Sequence, residues 1–383
     1  MAIIALPAAA VLEAVAACQA AGIPALTVYS SGFSEASPAG QALEAELRRR
    51  ARERGTLLCG PNSQGVANFY DRVAANFTSS PSDLEVPVGP LGFVSQSGLF
   101  GGIALAECVR RGPGLGYLVS TGNEAGVEFS DVLGHLARDP RVTVIGGYLE
   151  GPRDGERFRE AIRLAHEHRT SVVLLKVGHT ETAARAAASH TRALAGSYRV
   201  YQEVFRQWGV VEVDDVEELF DTLALFALEQ RPCVAGRIAV LTNSGGMGVF
   251  CADKAQELGL RMATLAPETR AAIATHLPEF GSPDNPVDIT LQAFSETAPV
   301  GSHLRHLAAD PGVDALLVVF GVQRLNVPAL VEEIRQTRQQ SGKPLVVAWM
   351  AGAPEGPRLL AAAGVPIFLD PLRALKALRA LAR

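Results

Sequence analysis

The sequence predicts an α/β fold of doubly wound parallel sheets, and three observations carry that prediction. Apolar runs of strand length alternate with amphipathic stretches of helix length, which is the pattern of βαβ units. Several of the apolar runs end in turns rich in Gly, Ser and Asn, where a parallel sheet exposes its carboxyl edge. The chain has 383 residues, 48% hydrophobic and 20% charged, with 37 Gly and 23 Pro, enough to bury the cores of two or three globular domains.

The first segment, 1–84, reads as strand (Ile3 to Leu6), helix (Ala8 to Ala21), strand (Ala25 to Tyr29), a turn at Ser30-Ser31-Gly32, a charged helix (Gln41 to Arg54) and strand (Thr56 to Leu58). Leu6-Pro7 and Cys59-Gly60-Pro61-Asn62-Ser63-Gln64-Gly65 follow strands, where α/β sheets bind ligands, although Pro7 alone can simply punctuate the chain. A nucleotide-binding half normally opens with a strand, a glycine-rich turn and a helix. Residues 1–80 instead read as the second half of such a domain, a further βαβ unit needing roughly 30 residues.

A linker, Ser79 to Gly89, leads into the second segment, 85–232. Strand Leu91 to Val94 runs into Ser95-Gln96-Ser97-Gly98 and a helix to Arg111. A strand, a glycine turn and a helix N-terminus together present free N–H groups and the positive end of a dipole, which is an anion site; tight helix packing demands small residues as well. Strand Leu115 to Ser120 ends in Gly122-Asn123-Glu124-Ala125, strand Val142 to Leu149 ends in Glu150, and strand Ser171 to Val177 leads to a loop of small residues carrying His190. If these strands share one parallel sheet, Ser97, Asn123, Glu150 and the His190 loop share one edge.

A lone histidine in such a loop can cap or solvate a turn. It can also act as a nucleophile when a partner holds its second ring nitrogen. Glu150, at the end of the strand before the one leading to His190, is either that partner or a solvated charge.

The third segment, 233–383, repeats the device: strand Arg237 to Leu241, then Thr242-Asn243-Ser244-Gly245-Gly246, then a helix to Leu258. Strands follow at Pro286 to Ile289, Val313 to Phe320, Pro344 to Trp349 and Val365 to Leu369, and the chain closes on a helix from Pro371 to Ala382. A helix dipole end contributes about 0.3 to 1 kcal/mol toward an anion, rising to about 2 in partly buried geometry. Two such ends facing one another would offset much of a phosphoryl dianion.

A formal net charge of -5 and the lack of any basic block argue against nucleic acid. Five scattered cysteines without a C-x-x-C suggest reduced thiols in a cytoplasmic protein. The apolar N-terminal stretch carries Pro7 and Glu13 and falls short of the roughly 20 residues of a membrane span. His303 and His306, three apart, lack a third ligand and read as a solvated helix face, so no metal site is expected.

Six ordered motifs carry a resemblance that runs end to end. They are Ser-His-Thr-x-Ala-Leu-Ala-Gly-Ser (189–197), Val-Ser-Gln-Ser-Gly (94–98), Gly-Asn-Glu-Ala (122–125), Tyr-Leu-Glu-Gly (148–151), Thr-Asn-Ser-Gly-Gly-x-Gly-Val (242–249) and Asn-Pro-Val-Asp (285–288). Together they resemble the NDP-forming acyl-CoA synthetases, and more distantly the alpha subunit of succinyl-CoA synthetase.

The resemblance implies a partial Rossmann-like CoA-binding domain (1–84) and a flavodoxin-like domain bearing a phosphohistidine (85–232). A second flavodoxin-like, CoA-ligase-like domain (233–383) would follow. In that family a carboxylic acid forms an acyl phosphate, coenzyme A displaces the phosphate, and an ATP-grasp domain or subunit exchanges the phosphoryl group with ATP/ADP and Mg.

His190 matches the phosphorylated residue and Glu150 its carboxylate partner. Ser97, Gly98, Ser244, Gly245 and Gly246 match the phosphate-holding turns. Pro7, Ser31, Asn62, Ser63, Asn123 and Glu124 fall on the substrate and CoA segments. The implied protein is an oligomeric alpha-type ligase component working with a beta-type ATP-grasp subunit; the alternative is a non-catalytic acyl-CoA or phosphate-binding regulator. Departures are Ser63 where the family often has Cys, Gly126 where Asp is common, Arg192 where Gly is common, and no glycine-rich opening βαβ or ATP-grasp domain in this sequence. Weak CoA binding is the expectation that follows.

Overall fold

The computed structural model describes residues 1–77, 85–180, 182–183, 198–229, 231, 233–290 and 298–382. The chain divides into two compact units, 1–223 and 224–383.

The first unit holds two sheets. β1 (Ala2–Ile4), β2 (Ala25–Val28) and β3 (Leu57–Cys59) form a parallel three-stranded sheet in that order. The helix Pro38–Arg54 starts earlier than its charge pattern predicts, because Ser37 caps it by accepting from the Gly40 N–H and Pro38 supplies a preset first-turn φ. It stops at Gly55, which takes the left-handed conformation that a side chain disfavours. With the helix Ala8–Ala20, which carries Val11 and Val15, it closes a core on the sheet that includes Leu26, Val28, Phe33, Leu47 and Leu58.

The second sheet has seven strands. β4 (Gly65–Asn68) and β5 (Val73–Asn76) form an antiparallel hairpin; β6 (Leu91–Ser95), β7 (Leu115–Ser120), β8 (Val144–Leu149), β9 (Ser171–Lys176) and β10 (Val211–Glu212) are mutually parallel. Their order is β10-β9-β8-β6-β7-β4-β5. The hairpin, which comes from within residues 1–84, thus joins the sheet of the following segment, through antiparallel pairing of β4 with β7. Helices Phe129–Arg138, Gly155–Glu167 and Tyr198–Trp208 cover one face, burying Phe129, Leu133, Leu136, Phe158, Ile162 and Phe205. Each such side chain contributes about 1.5–3 kcal/mol on leaving water.

The second unit is one parallel sheet of β11 (Arg237–Thr242), β12 (Arg261–Met262), β13 (Val287–Asp288), β14 (Ala315–Gln323), β15 (Leu345–Gly352) and β16 (Ile367–Phe368). The order is β12-β11-β14-β15-β16, with β13 joined to the carboxyl end of β11. Both sheets with phosphate-type turns are therefore flavodoxin-like. β14 and β15 run past their expected ends, pairing Gln323 with Gly352 beyond the apolar stretch.

One expectation is overturned here. His303 is fully buried rather than solvated, because the helix Ala298–Ala309 turns Val300, His303, Leu304 and Leu307 together into the core. The spacing i, i+3, i+4, i+7 is that of a helix's inner face. All five cysteines are free thiols. No helix of the described residues is long and apolar enough to cross a membrane.

Candidate functional site

In the first unit, the parallel order β9-β8-β6-β7 brings the turns after four strands to one carboxyl edge. Ser97, Asn123, Glu150 and the strand that leads toward His190 share that edge. His190 and the rest of 184–197 lie outside the described residues.

Ser97 stands at the N-cap of the helix Gly98–Arg111 without a side-chain cap, so the first-turn N–H groups face outward. The turn below is braced from inside. The Ser95 hydroxyl donates to the Ser97 carbonyl (2.6 Å) and accepts from the Ser97 N–H (3.1 Å). Gln96, buried, clamps the end of β8: its Oε1 accepts from the N–H groups of Glu150 (2.7 Å) and Gly151 (3.0 Å), and its Nε2 donates to the Gly151 carbonyl (2.8 Å). Gln96 thereby fixes the backbone of Glu150 beside the helix N-terminus.

Glu150 itself is buried at this edge. Lys176, at the end of β9, donates from Nζ to the Glu150 carbonyl (2.8 Å) and to the Val177 carbonyl, and lies 4.8 Å from the Tyr201 ring centroid. Burial lowers the Lys176 pKa, while the charges of Glu212 and Glu150 work the other way. Beyond the stem, His179 stacks on Tyr198 with ring centroids 4.0 Å apart, and the Tyr198 hydroxyl donates to Glu212 (2.7 Å). The residues on either side of the segment that carries His190 thus meet beside Glu212, with His179 Nε2 3.9 Å from its carboxylate.

Asn123 and Glu124 are consumed by a buried polar network. The Asn123 amide donates to Glu35 (2.5 Å), Glu44 (2.9 Å) and Ser34 (3.3 Å), and its Oδ1 accepts from Asn62 (3.2 Å). Burial works to raise Glu35, but hydrogen bonds from Asn123 and nearby backbone amides hold it below the usual carboxylate range. Glu124 takes a left-handed backbone (φ 58°), and its Oε1 accepts from Thr121 Oγ1 and the Phe129 N–H, both at 2.9 Å. Burial pushes its pKa up to about 7 against those bonds and the Arg153 charge. Arg153 bridges Glu44 (3.1 Å) and the Asn123 carbonyl, so this network joins the loops of the first sheet to those of the second.

Pro7 and Ser31 lie exposed beyond β1 and β2, and Asn62, at φ 56°, follows β3. The Ser63 hydroxyl is committed internally: it donates to the Ser120 carbonyl (2.5 Å) and accepts from the Gly65 N–H (2.8 Å). Ser63 therefore braces the Asn62 turn.

In the second unit, Ser244 opens the helix Gly245–Glu257, again with no side-chain cap, and Gly245 and Gly246 are exposed. Thr242 Oγ1 accepts from the Ser244 N–H (3.1 Å). Asn243, buried, accepts from the Gly321 N–H (3.0 Å) and donates to the Val322 carbonyl (3.2 Å). A cavity of about 400 Å³ lies here, lined by Asn243, Ser244, Phe280, Asp288, Thr290 and Gly321 among others. Sequence reasoning missed Gln96 and Asn243, although the repeat of Ser/Thr, carboxamide, Ser, Gly at 95–98 and 242–245 was a readable signal. Among the described residues no group of three His, Cys, Asp or Glu is placed to hold a metal ion.

The chain is similar to known proteins in sequence and fold. Residues 88–226 match the succinyl-CoA ligase like flavodoxin domain, and residues 238–355 match the Ligase-CoA domain. The chain is 35% identical to the alpha subunit of acetate–CoA ligase [ADP-forming] I of Pyrococcus furiosus, over 100% of this chain and 82% of that subunit. It is 38% identical to acetate–CoA ligase [ADP-forming] I of Archaeoglobus fulgidus, of whose length it spans 54%. Among solved structures, the dinucleotide-forming acetyl-coenzyme A synthetase 1 of Ca. Korarchaeum cryptofilum, in complex with phosphate and ADP, superposes with a TM-score of 0.88 at 32% identity. That superposition covers 99% of this chain and 81% of the other.

Proposed function

The chain belongs to the family of ADP-forming acid–CoA ligase alpha subunits, and from that premise we propose that it is the phosphoryl-carrying component of such a ligase. The observation that carries this reading is the shared carboxyl edge of β9, β8, β6 and β7. An uncapped helix N-terminus, a Glu150 backbone clamped by Gln96 and the strand leading toward His190 all end there.

In this reading a carboxylic acid and a phosphoryl group enter as acyl phosphate, formed and consumed at this edge, with coenzyme A as the co-substrate that takes the acyl group. His190 attacks the phosphorus of the acyl phosphate, the P–O bond to the acyl oxygen breaks and the carboxylate leaves, and the histidine holds the phosphoryl group for transfer to ADP on a beta-type ATP-grasp chain. Glu150 holds the second ring nitrogen of His190, keeping the attacking nitrogen unprotonated. The N–H groups after Ser97 and those after Ser244 are the ones that receive the phosphoryl oxygens.

Pro7, Ser31 and Asn62 are assigned to coenzyme A. The fit is to its reactive arm: two exposed small-residue turns and the Asn62 turn lie on adjacent strand ends. Ser63, Asn123 and Glu124 act through their neighbours, holding the Asn62 turn and the Glu35 loop.

The test is phosphorylation with labelled ATP in the presence of the ATP-grasp chain. An acid-labile, base-stable label is expected on this chain and is lost in His190→Ala. A label that survives His190→Ala overturns the assignment.

A further inference from the structure

The loop 121–125, between β7 and the helix Phe129–Arg138, is bonded on both sides. Toward the Asn62 turn, the N–H groups of Asn123 and Ala125 donate to the carbonyls of Pro61 and Gly60, both at 2.9 Å. The approach is close enough that a Cβ on Gly122 would collide with the Pro61 carbonyl. Toward the phosphoryl turn, Thr121 gives its N–H to the Ser95 carbonyl (2.9 Å) and its hydroxyl to Glu124 Oε1 (2.9 Å).

The Glu124 carboxylate, 3% exposed, also takes a hydrogen bond from the Gln96 side chain. The donor on a glutamine side chain is Nε2, with two N–H groups. One goes to the Gly151 carbonyl, which leaves the other for Glu124. Gln96 therefore stands between two glutamates. On the β8 side it grips the backbone of Glu150 and Gly151, and on the β7 side the carboxylate of Glu124.

Three charged or titratable groups surround Glu124. Arg153 Nε lies 3.9 Å from Oε2, and Arg48 Nη2 donates to the Glu124 carbonyl (3.3 Å). The Cys59 thiol is pushed up to about 11 by burial first and in part by the Glu124 charge. Burial raises Glu124 itself to about 7, while the bonds from Gln96, Thr121 and the Phe129 N–H favour its ionised form. A hydrogen bond to an ionised acceptor is roughly twice as strong as one to a neutral acceptor. Near neutral pH, then, the grip on Gln96 tightens as Glu124 loses its proton.

We propose that Glu124 is a positioning residue for phosphohistidine formation: acting through Gln96, its carboxylate holds the turn 95–98 and the end of β8 in the geometry that receives the phosphoryl group. The inference rests on the reading of this edge as the phosphoryl site. It gives Glu124 a task on the phosphoryl side of its loop, in addition to its part in holding the Asn62 turn.

The experiment is rapid-quench labelling of His190 in the full chain with the ATP-grasp chain, from acetyl phosphate or ATP labelled on the transferred phosphorus. Parent and Glu124→Gln are compared from about pH 5.5, where Glu124 is protonated, to about pH 8.5, where it is ionised. Glutamine keeps the size of the carboxylic acid without its titration, so the ratio of the two rates cancels the titration of His190. Whichever donor labels the parent, its advantage over the variant should grow roughly 2- to 30-fold from the acid end to the basic end. Half of that growth should fall near 7. In a Gln96→Leu background the growth should vanish, because the two residues act as one unit. Independently of any variant's rate, the side-chain amide resonances of Gln96 should titrate near 7 in the parent and stay fixed in Glu124→Gln.

A rate ratio that is constant across this range, or Gln96 resonances that do not follow Glu124, overturns the inference and leaves the phosphoryl reading intact. No label on the parent from either donor overturns the phosphoryl reading and this inference together.

Discussion

The turns at 95–98 and 242–245 are built alike and placed differently. Each has a hydroxyl that accepts from the N–H two residues on, and a buried carboxamide that bonds across to the neighbouring strand. The registers align as well: Ser95 pairs with Tyr148, two residues before Glu150, and Thr242 pairs with Val319, two residues before Gly321. The position that is a buried glutamate in the first unit is a glycine in the second. On the other flank, Ser120 opposite Ser95 becomes Asp288 opposite Thr242. One scaffold thus presents the same N–H groups with the carboxylate on opposite sides. In the first unit it stands at the end of the strand beside the one that leads toward His190, and in the second beside the N-terminus of the helix Gly245–Glu257. The backbone device makes an anion site, and the side chains on the flanking strands decide what the anion does there.

The strongest way to break this comparison is to remove the carboxamides. Gln96→Leu strips the partners of the Glu150 and Gly151 N–H groups, each buried orphan costing about 1–3 kcal/mol. It should cut His190 phosphorylation sharply, as well as lowering the unfolding midpoint. Asn243→Leu orphans only the Gly321 N–H and the Val322 carbonyl, and should cost less stability. Denaturant melts of the two variants check the order, and a larger loss from Asn243→Leu would contradict it.

Glu150→Gln tests the functional side of the difference with the backbone clamp left in place. Loss of the orienting carboxylate should lower the rate of phosphohistidine formation by up to about a hundredfold, the upper range for a residue that positions another's nitrogen. An unchanged rate in rapid-quench labelling would reduce Glu150 to a buried structural charge.

One buried group in each unit should make stability depend on pH in opposite directions. Glu124 has a folded pKa of about 7 against an ordinary 4.5, because burial disfavours its charge. Across that window the folded chain holds a proton that the unfolded chain has released, so stability falls as pH rises. His303 in the second unit is pushed down from 6.5 to about 4, by burial first and then by the charges of His276 and His306. There the unfolded chain gains a proton that the folded one refuses, so stability falls as pH drops from 6.5 toward 4. Hydrogen exchange of the helices Phe129–Arg138 and Ala298–Ala309 should therefore accelerate at opposite ends of the pH range. Glu124→Gln should flatten the first trend and His303→Leu the second; parallel trends in the two helices would refute the assignment.

Much of this contrast was legible in the sequence. Strands 91–95, 115–120, 144–149 and 171–176 announce themselves by apolar runs ending in Gly, Ser or Asn, and their common edge follows from parallel pairing alone. The hairpin Gly65–Asn76 was not legible, because its strands are built of Gly, Val, Ala and Asn and owe their state to pairing with β7. His303 misled for the opposite reason: two histidines drew attention from the apolar spacing of Val300, Leu304 and Leu307 around it. The Gly-Asn-Glu-Ala motif shows nothing of the bonds that the Asn123 and Glu124 side chains make to Glu35, Glu44, Thr121 and the Phe129 N–H. Only three-dimensional partners reveal that a polar motif is internal.

The smallest expected effect sharpens the comparison most economically. If Gly321 is only the vacant counterpart of Glu150, a methyl group there should be harmless. A Cβ on Gly321 would meet Asn243 Oδ1 at 3.6 Å, an ordinary van der Waals contact. Its φ is not in the left-handed region, so no backbone penalty applies. Gly321→Ala should therefore unfold within about 0.5 kcal/mol of the parent, the range of uneventful substitutions, and restricting the unfolded chain even favours the alanine slightly. Gly245→Ala makes the control at the same cavity, since its Cβ would lie 2.8 Å from Asp288 Oδ2 and must displace the carboxylate. Phosphate titration should separate the pair: Gly321→Ala keeps phosphate binding at Gly246, and Gly245→Ala weakens it. If Gly321→Ala instead abolished phosphate binding, the flank of β14 would itself be part of the anion site, and the register match between Gly321 and Glu150 would be functional rather than vestigial.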